Sequence, residues 1–209
     1  MKIVRLKRFT TLPVLLDFLQ RRKLVLLDPK LWDDRNDSEL ILEYKKRKNI
    51  KNLFALCFTS GDETIHHWKT FSDGPSGCAI EFNAKKLFKI LETIPNLRHN
   101  KVNYKRLRDV EDEHYKLDID EIPFTKRWPY RCEEEYRIIV ENNEENQSLF
   151  EIDVPLTIIN KITINQQMPS QIYETIKKQL SSIEGQETQR INRSTLYENG
   201  RWLKRFKEF

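Results

Sequence analysis

Apolar and polar positions alternate from the start of the chain. Val4 and Leu6 interleave with Arg5 and Lys7, and Arg8 and Phe9 continue the run, which predicts a strand with one polar face. From Leu12 to Arg22 the leucines and Phe18 recur at helical spacing. Thr10 or Thr11 is placed to cap that helix, Pro13 fits its first turn, and Arg21 and Arg22 suit its negative end. Lys23 to Leu27 reads as a second strand. Asp28-Pro29 breaks the pattern, Leu31 to Ser38 reads as a loop of turn-forming side chains, and a charged helix follows to about Asn49. Leu53 to Thr59 is apolar enough for a buried strand. A short helix through His66, His67 and Trp68, a turn at Gly74 to Gly77 and a strand at Cys78 to Phe82 come next. Asn83 then opens an amphipathic helix carrying Leu87, Ile90, Leu91 and Ile94, which Pro95 ends.

Residues 96 to 125 are too charged for either period to show. Strands are predicted at Leu149 to Val154 and Ile158 to Ile164, and a helix from Pro169-Ser170 to about Leu180. Ser181 to Thr188 reads as a polar loop, Gln189 to Leu196 as a final strand, and Arg201 to Phe209 as a basic, aromatic end. The expected class is α+β, a mixed or antiparallel central sheet with flanking helices. One domain over 1–209 is expected, with 181–209 as a C-terminal extension.

Composition supports a packed core: 38% hydrophobic and 11% aromatic residues can fill one, and 33% charged residues leave a solvated surface. The longest apolar runs fall far short of the roughly 20 residues that cross a bilayer. The charged N-terminus does not resemble a signal peptide, so a cytoplasmic protein without a membrane partner is expected. Cys57, Cys78 and Cys132 are widely spaced and read as free buried thiols. A net charge of +5 over 37 basic and 32 acidic residues is a weak pointer to anionic partners.

The richest chemistry lies in Glu133 to Val140. A two-residue period puts Tyr136, Ile138 and Val140 on one face of a strand, and Glu133, Glu135 and Arg137 on the other. Arg137 can then hold Glu135 ionised while Glu133 reaches a ligand. The lead-in Lys126 to Arg131 adds two aromatics and three bases, suited to anions or to stacking a ring. A salt-bridged, solvated sheet face is the bland reading of the same residues. His66 and His67 point about 100° apart on a helix, which favours structural roles over a shared metal. Asp33, Asp34 and Asp37 lack an EF-hand spacing and fit capping better than magnesium binding. The five glycines form neither a phosphate loop nor a dinucleotide fingerprint, and no Gly-x-Ser-x-Gly elbow occurs, which disfavours Walker-type hydrolysis and a standard Rossmann dehydrogenase.

Five segments stand together in the chain: Leu27 to Asp34, Cys57-Phe58-Thr59-Ser60, His67-Trp68-Lys69, Gly77 to Phe82, and Trp128 to Arg137 with its Glu-x-Glu-Tyr-Arg. In this order they resemble the bacterial domain-of-unknown-function family 2971, which implies no settled activity. A looser resemblance is to Arg-Ser-Glu-type ADP-ribosyltransferases, through a basic first strand, a Phe-Thr-Ser strand and a late Glu-x-Glu strand. It implies NAD as cofactor. Arg5 or Arg8 would meet the phosphates, Thr59 and Ser60 would line the nicotinamide pocket, and Glu135 would be catalytic with Glu133 assisting. His67 joins the catalytic candidates, and Trp68 and Arg137 the cofactor-binding ones. The sequence departs from that pattern in reading Phe-Thr-Ser for Ser-Thr-Ser and in placing Arg137 beside the key glutamate.

Three functions follow. The first is an enzyme acting on a small-molecule nucleotide or NAD, with a toxin or defence role. The second is a nucleic-acid-binding or metal-dependent nucleic-acid-cleaving protein using Lys126, Arg127, Arg131, Arg201, Lys204, Arg205 and Lys207. The third is a non-catalytic interaction module.

Overall fold

In the computed structural model, which describes residues 3–72, 74–144, 147–185 and 190–208, the opening alternation becomes β1 (Arg5–Thr11). Thr11 occupies the N-cap of α1 (Leu12–Arg21) without lending its side chain, and left-handed Arg22 closes that helix by donating its N–H to the Phe18 carbonyl. β2 (Lys23–Leu27) follows as expected. α2 (Arg35–Lys48) begins inside the predicted loop, because the Asp34 carboxylate accepts the N–H groups of Asn36 and Asp37 and so starts the helix early. β3 (Asn52–Thr59) is the buried strand, and Thr64 caps α3 (Ile65–Phe71). β4 (Gly77–Asn83) runs directly into α4 (Ala84–Leu91), which buries Leu87 and Leu91.

The unassigned stretch holds β5 (Leu97–Lys101), β6 (Asn103–Lys105), α5 (Leu107–Val110) and β7 (Thr125–Arg127), with a 3-10 turn over Ile119–Phe124. A second 3-10 turn, Trp128–Glu133, leads into β8 (Glu135–Asn142). Then come β9 (Leu149–Asp153), β10 (Ile159–Ile164), α6 (Ser170–Ser181), β11 (Arg190–Arg193) and α7 (Gly200–Lys207). The final strand is shorter than expected, with Gln189 outside the described residues, as are 186–188 of the expected polar loop. The basic end is a helix, because Asn199 caps it by accepting the Trp202 N–H.

These elements fall into two compact units. The first comprises the residues up to Leu6, Lys23–Gly61 and Ala84–Val154. Its strands run in the order β5-β8-β3-β2-β9, each antiparallel to its neighbour, beside a small parallel pair of β6 and β7. Ile41 and Tyr44 of α2 pack there on Leu53, Ala55 and Ile139, with Ile122 and Phe124 closing the cluster. The second unit comprises Lys7–Arg22, Asp62–Asn83 and the residues from Pro155 on, with strand order β11-β10-β4-β1. β10 and β11 are parallel, and β10 and β4 antiparallel. Phe18 of α1 meets Phe82 of β4 edge-on at 5.8 Å, and Phe9, Trp68 and Ala79 form a further buried cluster. The α+β class holds, with mixed, mostly antiparallel pairing and flanking helices. Among the described residues no helix is long and apolar enough to cross a membrane.

Candidate functional site

In the first unit β8 lies between β3 and β5, so both of its edges are hydrogen-bonded, and Glu135 to Val140 are buried on both faces. Tyr136, Ile138 and Val140 are buried on one face as the alternation requires; Glu135 and Arg137 share the other. Glu133 departs from the expectation. It lies in the 3-10 turn rather than on the strand, because Glu134 adopts a left-handed conformation (φ +42°) that breaks the extended run. The charged face is also not solvated. Glu133, Glu135, Arg137, Asp37 and Lys126 are all buried.

The five form one ionic network. Arg137 donates Nε to Glu135 Oε1 at 2.7 Å and grips Asp37 with both terminal nitrogens, at 3.0 and 2.7 Å. Its Nη1 also donates to the Pro123 carbonyl at 2.8 Å, and its guanidinium lies 4.7 Å from the Trp32 ring. Lys126 Nζ reaches Glu133 Oε2 at 2.7 Å, Glu135 Oε2 at 3.2 Å and Asp37 Oδ2 at 3.5 Å. Tyr104 accepts the Glu135 backbone N–H at 2.8 Å. Cys57, half-buried as a residue, turns its thiol to Glu135, and burial with that carboxylate pushes the thiol well above its usual value.

Burial by itself would raise the Glu135 carboxyl, but Arg137 and Lys126 outweigh it and hold the group at about 2. Burial dominates for Asp37, which is raised despite Arg137. Glu135 is thus an ionised anchor with both oxygens bonded. A carboxyl depressed on folding contributes stability that is complete above its unfolded value and is lost as pH falls through the folded one. The drop from 4.5 to about 2 corresponds to roughly 3 kcal/mol, lost between those pH values. Asp37, raised, acts in the opposite sense and makes the acid limb shallower. Urea titrations across pH should therefore show a flatter acid limb in Glu135→Gln than in the wild type.

Glu134 is different. Its residue is exposed, yet its position is fixed: its carbonyl accepts the Ser60 N–H at 2.9 Å and the Ser60 hydroxyl at 3.1 Å. Its carboxylate lies over Gly61, where an added Cβ would stand 2.7 Å from Glu134 Cδ. Thr59 faces Glu135 across the ladder and accepts the Gly61 N–H with its hydroxyl at 3.1 Å. The Phe-Thr-Ser strand and the glutamate run, about 75 positions apart in sequence, thus meet at one end of the β3–β8 pair. A non-glycine residue in left-handed backbone costs on the order of 1 kcal/mol or more, a strain that concentrates at working sites.

No family model matches the chain, and no curated protein matches it. Three solved structures of DarT from Thermus sp. 2.9 are similar to it. In complex with ADP-ribosylated ssDNA, the TM-score is 0.47 at 13% identity over 94% of this chain and 97% of that one. In complex with NAD+, it is 0.47 at 11% identity over 95% and 99%, and with carba-NAD+ 0.45 at 11% over 95% and 100%. Likenesses with TM-scores below 0.5 carry no weight for the chemistry, and no family model supports the resemblance to family 2971.

The remaining candidates divide between the units. Arg5 lies exposed on the part of β1 that belongs to the first unit, while Arg8, His67 and Trp68 belong to the second. There His67 is buried, stacked on Phe9 at 5.0 Å with Nδ1 3.0 Å from the Thr64 hydroxyl. Trp68 donates its indole N–H to Glu63 at 3.1 Å. Both are packed within that unit. Asp34 caps α2, and Asp37 is the partner of Arg137. Among the described residues no group of three or more His, Cys, Asp or Glu is arranged to hold a metal ion. Cys78 is buried and its thiol pushed up to about 12, but Cys132 is exposed, against expectation, in a 3-10 turn whose one buried residue is Glu133. Lys126, expected to meet nucleic-acid phosphates, is engaged by carboxylates inside the unit. The network partners Asp37 and Lys126 were not legible as such. The exposed place of Glu134 was not legible either, because a two-residue period puts it on the face of Tyr136, Ile138 and Val140.

Proposed function

We propose that this chain is an enzyme of ADP-ribosyltransferase type acting on NAD or a related nucleotide, with Glu134 as the carboxylate that meets the ribose and Glu135 as its buried anchor. The observation that carries the reading is the exposed Glu134 carboxylate, held over Gly61 where the Thr59–Ser60 end of β3 abuts the start of β8. In such a reaction the bond from ribose C1′ to the nicotinamide nitrogen breaks and its electron pair returns to the ring. The sugar carries positive charge until an acceptor attacks C1′ and loses its proton. A fixed carboxylate lowers that barrier electrostatically. Gly61, without a side chain, leaves that carboxylate room, and Ser60 fixes the backbone that presents it. Glu135 and Arg137 keep β8 in register beneath it.

The first test is ligand-linked unfolding. NAD at about 100 times its dissociation constant should stabilise the chain by roughly 2.7 kcal/mol. Melting curves unmoved by NAD and by ADP-ribose would overturn the reading.

One observation favours nucleic acid as a second reading. The exposed ring of Trp128 has Arg106 at 4.4 Å and Arg131 at 4.9 Å, and Lys105 stands opposite Arg127 in the parallel β6–β7 pair. Binding that weakens steeply with salt and depends on Arg106 and Arg131 would support it.

A further inference from the structure

The helix α7 is well encoded locally and buries nothing. Asn199 caps it, the rings of Trp202 and Phe206 sit 4.9 Å apart one turn from each other, and Lys204, Arg205 and Lys207 occupy its negative end. Yet every residue from Gly200 to Glu208 is exposed, with Trp202 at 65%, Leu203 at 42% and Phe206 at 62%. Helices this short are marginal without a packed face, since below about 12 residues the nucleation cost is not recovered.

At about 100° per residue, Trp202, Phe206 and Leu203 fill one arc of roughly 100°, and Arg201, Lys204, Arg205 and Lys207 fill the remainder. Arg205 borders the tryptophan side of that arc and Lys207 the leucine side, so cations flank the apolar face on both edges. A nucleic acid could pair with the basic arc and stack a base on Trp202 or Phe206, but it would leave Leu203 in water. An anionic bilayer surface uses both at once: the apolar arc enters the headgroup–acyl boundary, the tryptophan ring favours that depth, and the flanking cations reach lipid phosphates. We infer that α7 is an interfacial anchor that lies on anionic lipid, with Trp202, Leu203 and Phe206 inserted and the four cations at the phosphate level. This differs from a membrane span, and it holds whether or not the chain acts on NAD.

Co-sedimentation of the full chain with vesicles decides it. Vesicles of mixed phosphatidylglycerol and phosphatidylcholine should retain the chain, pure phosphatidylcholine should retain at least about tenfold less, and about 0.5 M salt should weaken retention. The exposed double variant Trp202→Ser/Phe206→Ser should keep the wild-type melting temperature and lose about tenfold or more of the retention. Arg201→Gln/Lys204→Gln should lose the preference for anionic lipid. Three results would overturn the proposal: no vesicle retention, retention that the Trp202/Phe206 double variant leaves unchanged, or a wild-type self-association or nucleic-acid complex that this variant abolishes while vesicle retention persists.

Discussion

Arg137→Met should destabilise the chain by about 3–5 kcal/mol, read as a lower midpoint in urea unfolding. The guanidinium is fully buried and bonds Glu135, both Asp37 oxygens and the Pro123 carbonyl, so its removal leaves carboxylates and a carbonyl in the interior with Lys126 as the remaining cation. Arg137→Lys keeps the charge but lacks the two-pronged fork, and should fall between that variant and the wild type. Should the methionine variant not fold, the lysine variant still reads the effect. Replacing the charges together, as in Arg137→Met/Asp37→Leu/Glu135→Leu, should recover part of the loss, because the cost of a broken buried pair is mostly that of the stranded partner. A midpoint of Arg137→Met within about 0.5 kcal/mol of the wild type would remove the network from the account of stability.

Glu134→Gln should lower the rate of nicotinamide release from NAD by about 10²- to 10³-fold while leaving the melting temperature near that of the wild type. The residue is exposed and its side chain has no part in the ionic network, so the amide removes charge without opening a cavity. Glu135→Gln should lower both stability and rate, since Arg137 and Lys126 each lose a partner on β8. The contrast between the two variants separates a group at the ribose from one that holds the strand. Equal losses of rate at equal stability would contradict that division.

Much of β8 was legible because a two-residue period states which side chains share a face, and Tyr136, Ile138 and Val140 lie where it puts them. The period could not say that the charged face is buried. That depends on Asp37, 100 positions away, and on Lys126, whose place beside Arg127 reads as surface. Nor does any residue preference announce the left-handed Glu134, since glycine or asparagine is the usual signal for that backbone. The strands between 97 and 127 leave no signal in the sequence because β5 is an edge strand and β6 and β7 are three residues each, so their charged, half-exposed side chains carry no apolar alternation. The acid helix start at Asp34 was visible as a cluster of turn formers, a chemistry that loops and caps share.

The most direct test is a crystal structure of the chain with an NAD analogue whose bond at ribose C1′ cannot break. The account predicts C1′ within about 3.5 Å of a Glu134 carboxylate oxygen, with Ser60 and Gly61 beside the sugar. An analogue bound with its ribose away from Glu134, while the β3–β8 end stays empty, would contradict it.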